Sequence, residues 1–150
     1  MIKSTELRNG NYVTTPDSSS PFILSPLMYN DIYLKEKGIK NDYLDNLPEL
    51  NAVPISISVL KCCYFLDIPG LWKTEYVLQI DGNASIIFTF TTISDFHCRL
   101  FIRNENDDLN INLAYLDAYR ELPIKHLHEL QNFYRFFTGN EMPINIKQPC

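Results

Sequence analysis

The residues whose types could support chemistry in this chain are its three histidines, its four cysteines and a few paired carboxylates. Cys98 or Cys63 could act as a nucleophile with His128 as its base and Glu129 as an orienting group, as a small Cys/His-dependent enzyme would need. The chain has no G-x-S-x-G elbow, and its five glycines are scattered, so no phosphate-cradling loop is present. Asp107-Asp108 falls in a predicted hairpin turn, where solvated charge explains it. The sequence therefore predicts no catalytic residue, and the Cys/His enzyme stays an alternative.

The spacing of the histidines and cysteines also argues against a metal site. His126 and His128 are two positions apart on a predicted helix, so their side chains should diverge by about 200°, whereas two ligands on one helix need a spacing of four. His97 and Cys98 are neighbours on a predicted strand and should face opposite sides. We expect no metal and no cofactor.

Length and composition indicate one globular domain over residues 1–150, with 45% hydrophobic residues, nine Phe and nine Tyr. The net charge of −5 makes a nucleic-acid partner the weaker expectation, because phosphate binding needs a cationic face. A nucleic-acid-associated accessory protein is still an alternative, and its binding should weaken steeply with salt. It would need a local basic face built from Lys35, Lys37, Lys40, Arg99 and Arg103.

The four cysteines are Cys62, Cys63, Cys98 and Cys150. The first residues, Met-Ile-Lys-Ser-Thr-Glu, lack the apolar core of a signal peptide, and no stretch approaches the roughly 20 apolar residues of a membrane span. We therefore expect free thiols, a reducing compartment, a cytoplasmic location and no membrane contact.

From residue 74 onward, the apolar pattern has the period of two that is typical of strands. Short turns join sequence neighbours, so the strands should form a four-stranded antiparallel meander. Ile86, Phe88 and Phe90 should share one face of the second strand. The predicted strands are Thr74–Ile80, Ser85–Thr92, Phe96–Arg103 and Leu109–Tyr115.

Two helices complete the predicted α+β fold. A short helix over Pro54–Phe65, capped by Ser56, precedes the meander, and a long C-terminal helix from near Pro123 to Gly139 packs on it. Residues 14–26 are expected to form a Ser/Thr/Pro-rich loop, and Leu7–Val13 a turn and a short strand that pairs with the sheet or starts a small barrel-like part.

The long helix carries more aromatic residues than one apolar face requires. Leu127, Leu130, Tyr134 and Phe137 lie on one predicted face, widened by Ile124, Phe133 and Phe136. One of the helix aromatics, or Trp72, could be exposed, and an exposed aromatic patch on an acidic domain favours a protein contact.

Three segments carry a family pattern. Residues 7–13 fit L-R-x-G-N-x-V, residues 55–65 fit L-T-x-E-x-L-x-x-C-G-F in part, and residues 128–142 fit H-E-L-Q-N-x-Y…T-G-x-E closely. In the second segment Ser58 replaces the acidic residue and Tyr64 the glycine. In these segments the chain resembles a family of small uncharacterised proteins of Bacteroides-type gut bacteria and their phages and prophages. The resemblance implies a phage or mobile-element setting and supplies no activity.

Within the last segment, His128, Glu129, Gln131 and Asn132 are less easily explained by packing than their apolar neighbours. Their hydrogen-bonding side chains could clamp neighbouring loops or the sheet edge, or could form a contact surface for a partner together with Trp72. We expect a non-enzymatic protein-interaction or structural accessory protein. Its partner would be another protein or a second copy, in the bacterial host cytoplasm or incorporated in a phage particle.

Overall fold

The computed structural model describes residues 2–69, 73–80, 84–91, 95–102 and 118–145, with only the backbone described at 19 and 118–120. The chain divides into two compact units. Unit 1 comprises Met1–Ile55 and Lys125–Glu141, and unit 2 comprises Ser56–Ile124 and Met142–Cys150. The predicted single domain over 1–150 stays a prediction.

Unit 1 contains a small antiparallel sheet of three strands, β1 (Tyr12–Thr15), β2 (Ser18–Ile23) and β3 (Asn51–Ala52), in the order β2-β1-β3. The predicted loop over 14–26 is therefore wrong. Its Ser and Thr residues form the hairpin of β1 and β2, and Pro21 is tolerated because β2 lies at the sheet edge. The short strand expected near Val13 exists as β1, and it pairs within this sheet.

Helices surround this sheet in unit 1. They are a 3-10 turn at Ser4–Glu6, α1 (Pro26–Glu36) and α2 (Asp42–Asp45). Ser25 caps α1 by accepting a hydrogen bond from the Met28 N–H, and Pro26 occupies the first helical position. The core of this region is formed by Ile2, Leu7, Val13, Leu24 and Leu50.

Unit 2 contains a short helix, α3 (Ile57–Cys62), and a five-stranded antiparallel sheet in sequence order. The strands are β4 (Leu66–Pro69), β5 (Thr74–Gln79), β6 (Ala84–Phe90), β7 (Phe96–Ile102) and β8 (Ala118–Leu122). The central three confirm the predicted strands to within two residues at each end. Ile86, Phe88 and Phe90 are buried on one face as predicted.

Helix α3 begins after Ser56, as predicted, because the Ser56 hydroxyl accepts the Val59 N–H. It ends in a left-handed turn at Tyr64, whose φ is +61°, with the Phe65 N–H donating to the Leu60 carbonyl at 3.1 Å. Tyr64 thus adopts a conformation that glycine favours.

The last helix, α4, spans Leu127–Thr138 in unit 1 and ends at Gly139, whose φ is +74°. The predicted start near Pro123 is wrong, because the chain before α4 is extended. The Ile55 N–H donates to the Lys125 carbonyl, and the Leu127 N–H donates to the Val53 carbonyl. Backbone pairing with residues 53–55 therefore replaces the first helical turn.

The fold is mixed α+β with antiparallel sheets and a C-terminal helix, as expected. The described residues form eight strands in two sheets rather than one four-stranded meander. The predicted strand Leu109–Tyr115 lies outside the described residues, while β4 and β8 were missed. Among the residues that the structure describes, no helix combines the length and apolarity needed to cross a bilayer.

Candidate functional site

The polar residues of α4 meet the N-terminal segment of unit 1. The Gln131 side chain, only 2% exposed, accepts the Tyr12 N–H at 2.9 Å and donates to the Gly10 carbonyl at 3.1 Å. Asn132 donates to the Glu6 carbonyl at 3.0 Å and accepts from the Asn11 side chain at 3.0 Å. We call these contacts, together with those of Arg8 and Glu141, the helix–loop clamp.

Arg8 extends the clamp along α4. Its guanidinium donates to the Gln131 carbonyl at 3.3 Å and forms an ion pair with Glu141 at 2.8 Å. Arg135 binds the same carboxylate, so two guanidinium groups share Glu141. The hydrogen bond from Arg8 lowers the pKa of Glu141 most. Burial raises it, but the charges of Arg8 and Arg135 add to the lowering, so the pKa lies below its ordinary value. These contacts join residues 6–12 to residues 131–141 inside unit 1.

Glu129 caps α4. Its carboxylate accepts the backbone N–H groups of Lys125 at 2.7 Å and His126 at 2.9 Å. Burial alone would raise the pKa of Glu129, but these two hydrogen bonds outweigh it and hold the pKa below its ordinary value. The role of Glu129 in this structure is thus the capping of a helix.

His128 is 1% exposed, and neither ring nitrogen has a hydrogen-bond partner within the described parts of the chain. Its ring stacks on that of His126 with centroids 5.7 Å apart. The predicted divergence of the two histidines is wrong, because His126 has the extended backbone of a helix cap and is not part of the helix. No cluster of three metal-ligating side chains occurs among the described residues.

The predicted contact residues thus have internal roles in the structure. Gln131, Asn132 and Glu129 make the hydrogen bonds of the clamp and the cap, as the clamp interpretation expected, and His128 is enclosed. Their use as a partner surface stays a prediction. Trp72 lies outside the described residues.

The cysteines of the alternative enzyme lie in unit 2. Burial raises the pKa of Cys63 to about 12 and raises the pKa of Cys98 further, so both are thiols at neutral pH rather than nucleophilic thiolates. His128 belongs to unit 1. Cys62 is disulfide-bonded, so the expectation of free thiols is wrong for this residue and correct for Cys63 and Cys98. That bond removes the thiol argument for a reducing compartment.

Two cations of the nucleic-acid alternative make internal contacts in unit 1. Lys35 donates to the carbonyls of Asp45 and Leu47, and the Lys37 ammonium lies over the Tyr33 ring. These lysines belong to unit 1 and Arg99 to unit 2, while Arg103 lies outside the described residues.

The outer face of the five-stranded sheet, opposite the face that Phe88 fills, carries a polar cluster around Arg99. Arg99 contacts Glu75 at 3.2 Å and the Thr89 hydroxyl at 2.8 Å, while His97 lies 3.5 Å from Glu121. A cleft of about 190 Å³ is lined by Lys73, Thr89, His97, Arg99 and Glu121. Because the carboxylates already face cationic or ionisable groups, this cluster has the character of a cross-strand ion-pair network.

Strand β4 is the edge of this sheet that sequence reasoning missed. All four of its residues are exposed, and Leu66 and Ile68 are 69% and 48% exposed. No strand among the described residues pairs with its outer edge. The sequence signal was the Leu-Asp-Ile alternation, which is too short to establish a period of two.

The aromatic excess of α4 is also explained in part. Phe136 is 89% exposed, so its predicted place in the apolar stripe is wrong, while the expectation that one aromatic residue is exposed is confirmed. Phe137 stacks on Phe133 with ring centroids 6.0 Å apart. Phe137 is itself 36% exposed, so the end of α4 carries two exposed aromatic rings, of which Phe136 is the more exposed.

No family model, no curated protein and no solved structure matches this chain.

Proposed function

We propose that the protein is a non-enzymatic interaction protein that binds another protein through the exposed edge strand β4. The observation that carries this proposal is the pair Leu66 and Ile68, which are 69% and 48% exposed on a sheet edge that no other described strand pairs with. The setting that the resemblance implies makes it an accessory factor of a phage or mobile element, acting in the bacterial cytoplasm or in a particle.

An exposed edge strand with apolar residues is a favourable place for a partner because it offers two kinds of contact. The free backbone groups of the edge can pair with another chain, and the apolar side chains gain by leaving water. Natural proteins usually protect such edges against uncontrolled pairing. In β4 the protection is limited to one charge, Asp67, and to Pro69 at the end of the strand.

The chemistry of the other described groups favours binding over catalysis. Cys63 and Cys98 are buried thiols with raised pKa values, and the polar residues of α4 are engaged in the clamp and the cap. A partner surface is therefore the role that leaves these internal contacts intact.

The test is proximity capture in the natural host with Leu66→Lys beside the wild type. The matched control is Leu27→Lys, since Leu27 is 70% exposed and lies in α1 of unit 1. Both substitutions change the same residue type at the same exposure, so both should leave the melting temperature within about 2 °C, as surface changes usually do.

We expect a protein that is cross-linked by the wild type and by Leu27→Lys, and is lost with Leu66→Lys. The cross-links should map to residues 66–69. Capture that is equal for all three proteins, or cross-links that map away from β4, would refute the proposal.

A further inference from the structure

Strand β4 has two chemically different faces, and their difference bears on what can pair with it. Leu66 and Ile68 pair with Val77 and Glu75 of β5, so they lie on the outer face of the sheet. Asp67 pairs with Tyr76, which is 3% exposed, and so lies on the core face. From its edge position the Asp67 side chain is exposed. The edge therefore presents an apolar, acidic, apolar sequence to an incoming strand.

The two faces of β4 restrict the register in which it could pair with β4 of a second copy. Residues that lie opposite each other in an antiparallel pair share a face, so the best overlap of β4 with its own copy places Leu66 opposite Ile68 and Asp67 opposite Asp67. Like charges directly opposite each other destabilise a strand pair. Charge therefore disfavours self-pairing in the register that apolar contact would favour.

A strand of the opposite character fits the same edge. With a Lys or Arg between two β-branched apolar residues, it would place its cation opposite Asp67 and its apolar residues beside Leu66 and Ile68. Pro69 offers no N–H, so the paired length is centred on residues 66–68.

We infer that β4 binds an extended segment of a partner protein by strand addition, and that Asp67 selects segments with an apolar-cationic-apolar alternation. This inference rests on the proposed interaction function and names the chemistry of the partner.

The test uses two synthetic peptides, acetyl-Ser-Thr-Val-Lys-Val-Thr-Ser-amide and the same peptide with Glu in place of Lys. Each is titrated at millimolar concentration into the full-length ¹⁵N-labelled protein, and the backbone amide shifts of β4 and β5 are followed. We expect the Lys peptide to shift the amides of residues 66–68 and to bind roughly twofold to tenfold more tightly than the Glu peptide. In Asp67→Lys the preference should invert.

Each other outcome counts against the inference. If neither peptide moves the β4 amides, strand addition is refuted, and if both bind equally, selection by Asp67 is refuted. Chemical shifts that depend on protein concentration without peptide would show a second copy as the occupant. If the peptides fail while the partner capture still depends on Leu66, the interaction function stands and only the strand mode is lost. If the capture does not depend on Leu66, the function itself fails.

Discussion

The enclosed imidazole of His128 makes the stability of unit 1 depend on pH. Burial lowers the pKa of His128, and the charge of His126 adds to the lowering. The carboxylates of Glu129 and of Glu6, in the 3-10 turn, raise the pKa but do not outweigh burial. Both ring nitrogens lack partners, so a proton there would place an unsolvated charge inside the unit.

The sign and size follow from proton linkage. The pKa of His128 is lower in the folded state than the ordinary 6.5, so the unfolded chain binds the proton first as the pH falls. The contribution of neutral His128 to the free energy of unfolding is therefore complete above pH 6.5. Below that pH it is lost at up to about 1.4 kcal/mol per pH unit, until the folded pKa is reached. A loss of this size per pH unit is readily measured against a typical stability of about 5–15 kcal/mol.

The measurement is urea unfolding followed by far-UV circular dichroism between pH 5.0 and 7.5, combined with hydrogen exchange of the Tyr12 amide. That amide donates to Gln131, so it reports on the clamp directly. The lowered carboxyl pKa values of Glu129 and Glu141 also reduce stability in acid. Their effect begins near their ordinary value of 4.5 and lies below this window.

The decisive variant is His128→Leu, which replaces the unpartnered ring with an apolar side chain. It should be as stable as the wild type or more stable at pH 7.5, and it should lose most of the slope between pH 6.5 and 5.0. The control is His97→Gln, because the His97 side chain is 56% exposed and its removal should leave the slope unchanged. A slope that persists in His128→Leu, or a wild type with no slope, would refute the reasoning.

Three further substitutions test contacts inside unit 1 or inside unit 2, and thermal or urea unfolding measures their effect on stability. Gln131→Leu should cost about 1–3 kcal/mol because it leaves the Gly10 carbonyl and the Tyr12 N–H without their partner, and an unchanged midpoint would mean that the clamp is dispensable. Leu130→Ala should cost about 2–5 kcal/mol, since Leu130 is fully buried. A change within about 0.5 kcal/mol would mean that the face of α4 with Leu130 is not the buried one. Tyr64→Gly should raise stability by about 1 kcal/mol, because the positive φ strains every residue but glycine and the ring is 55% exposed, and a loss would show that the ring makes an unseen contact.

The parts of the fold that could be predicted are those that local pattern determines. The alternation around Phe88 marked the three central strands of unit 2, Ser56 marked the start of α3, and Gly139 marked the end of α4. In each case the signal and the structure lie within a few residues of each other, so no tertiary contact had to be known.

The elements that could not be predicted depend on partners that are distant in sequence. Strand β2 exists because β1 pairs with it despite a Ser-rich sequence, and residues 125–126 are extended because residues 53–55 pair with them. Leu66, Asp67 and Ile68 are too few to show a period of two, and their strand conformation comes from β5. Tertiary pairing overrode local propensity at all of these places.

The candidate site shows that a distinctive sequence pattern does not by itself indicate a binding function. The most specific sequence pattern, residues 128–142, stands out by its polar side chains, and such residues invite a functional interpretation. In the structure, Gln131 and Asn132 bind the backbone of residues 6–12 by hydrogen bonds inside one unit. A buried hydrogen-bonded contact is costly to leave half made, so an internal structural role accounts for these polar side chains. The strength of the pattern therefore gives no support to a binding role for these residues. A search for the partner is better directed to exposed surface outside the pattern, where Leu66 and Ile68 have no comparable internal role.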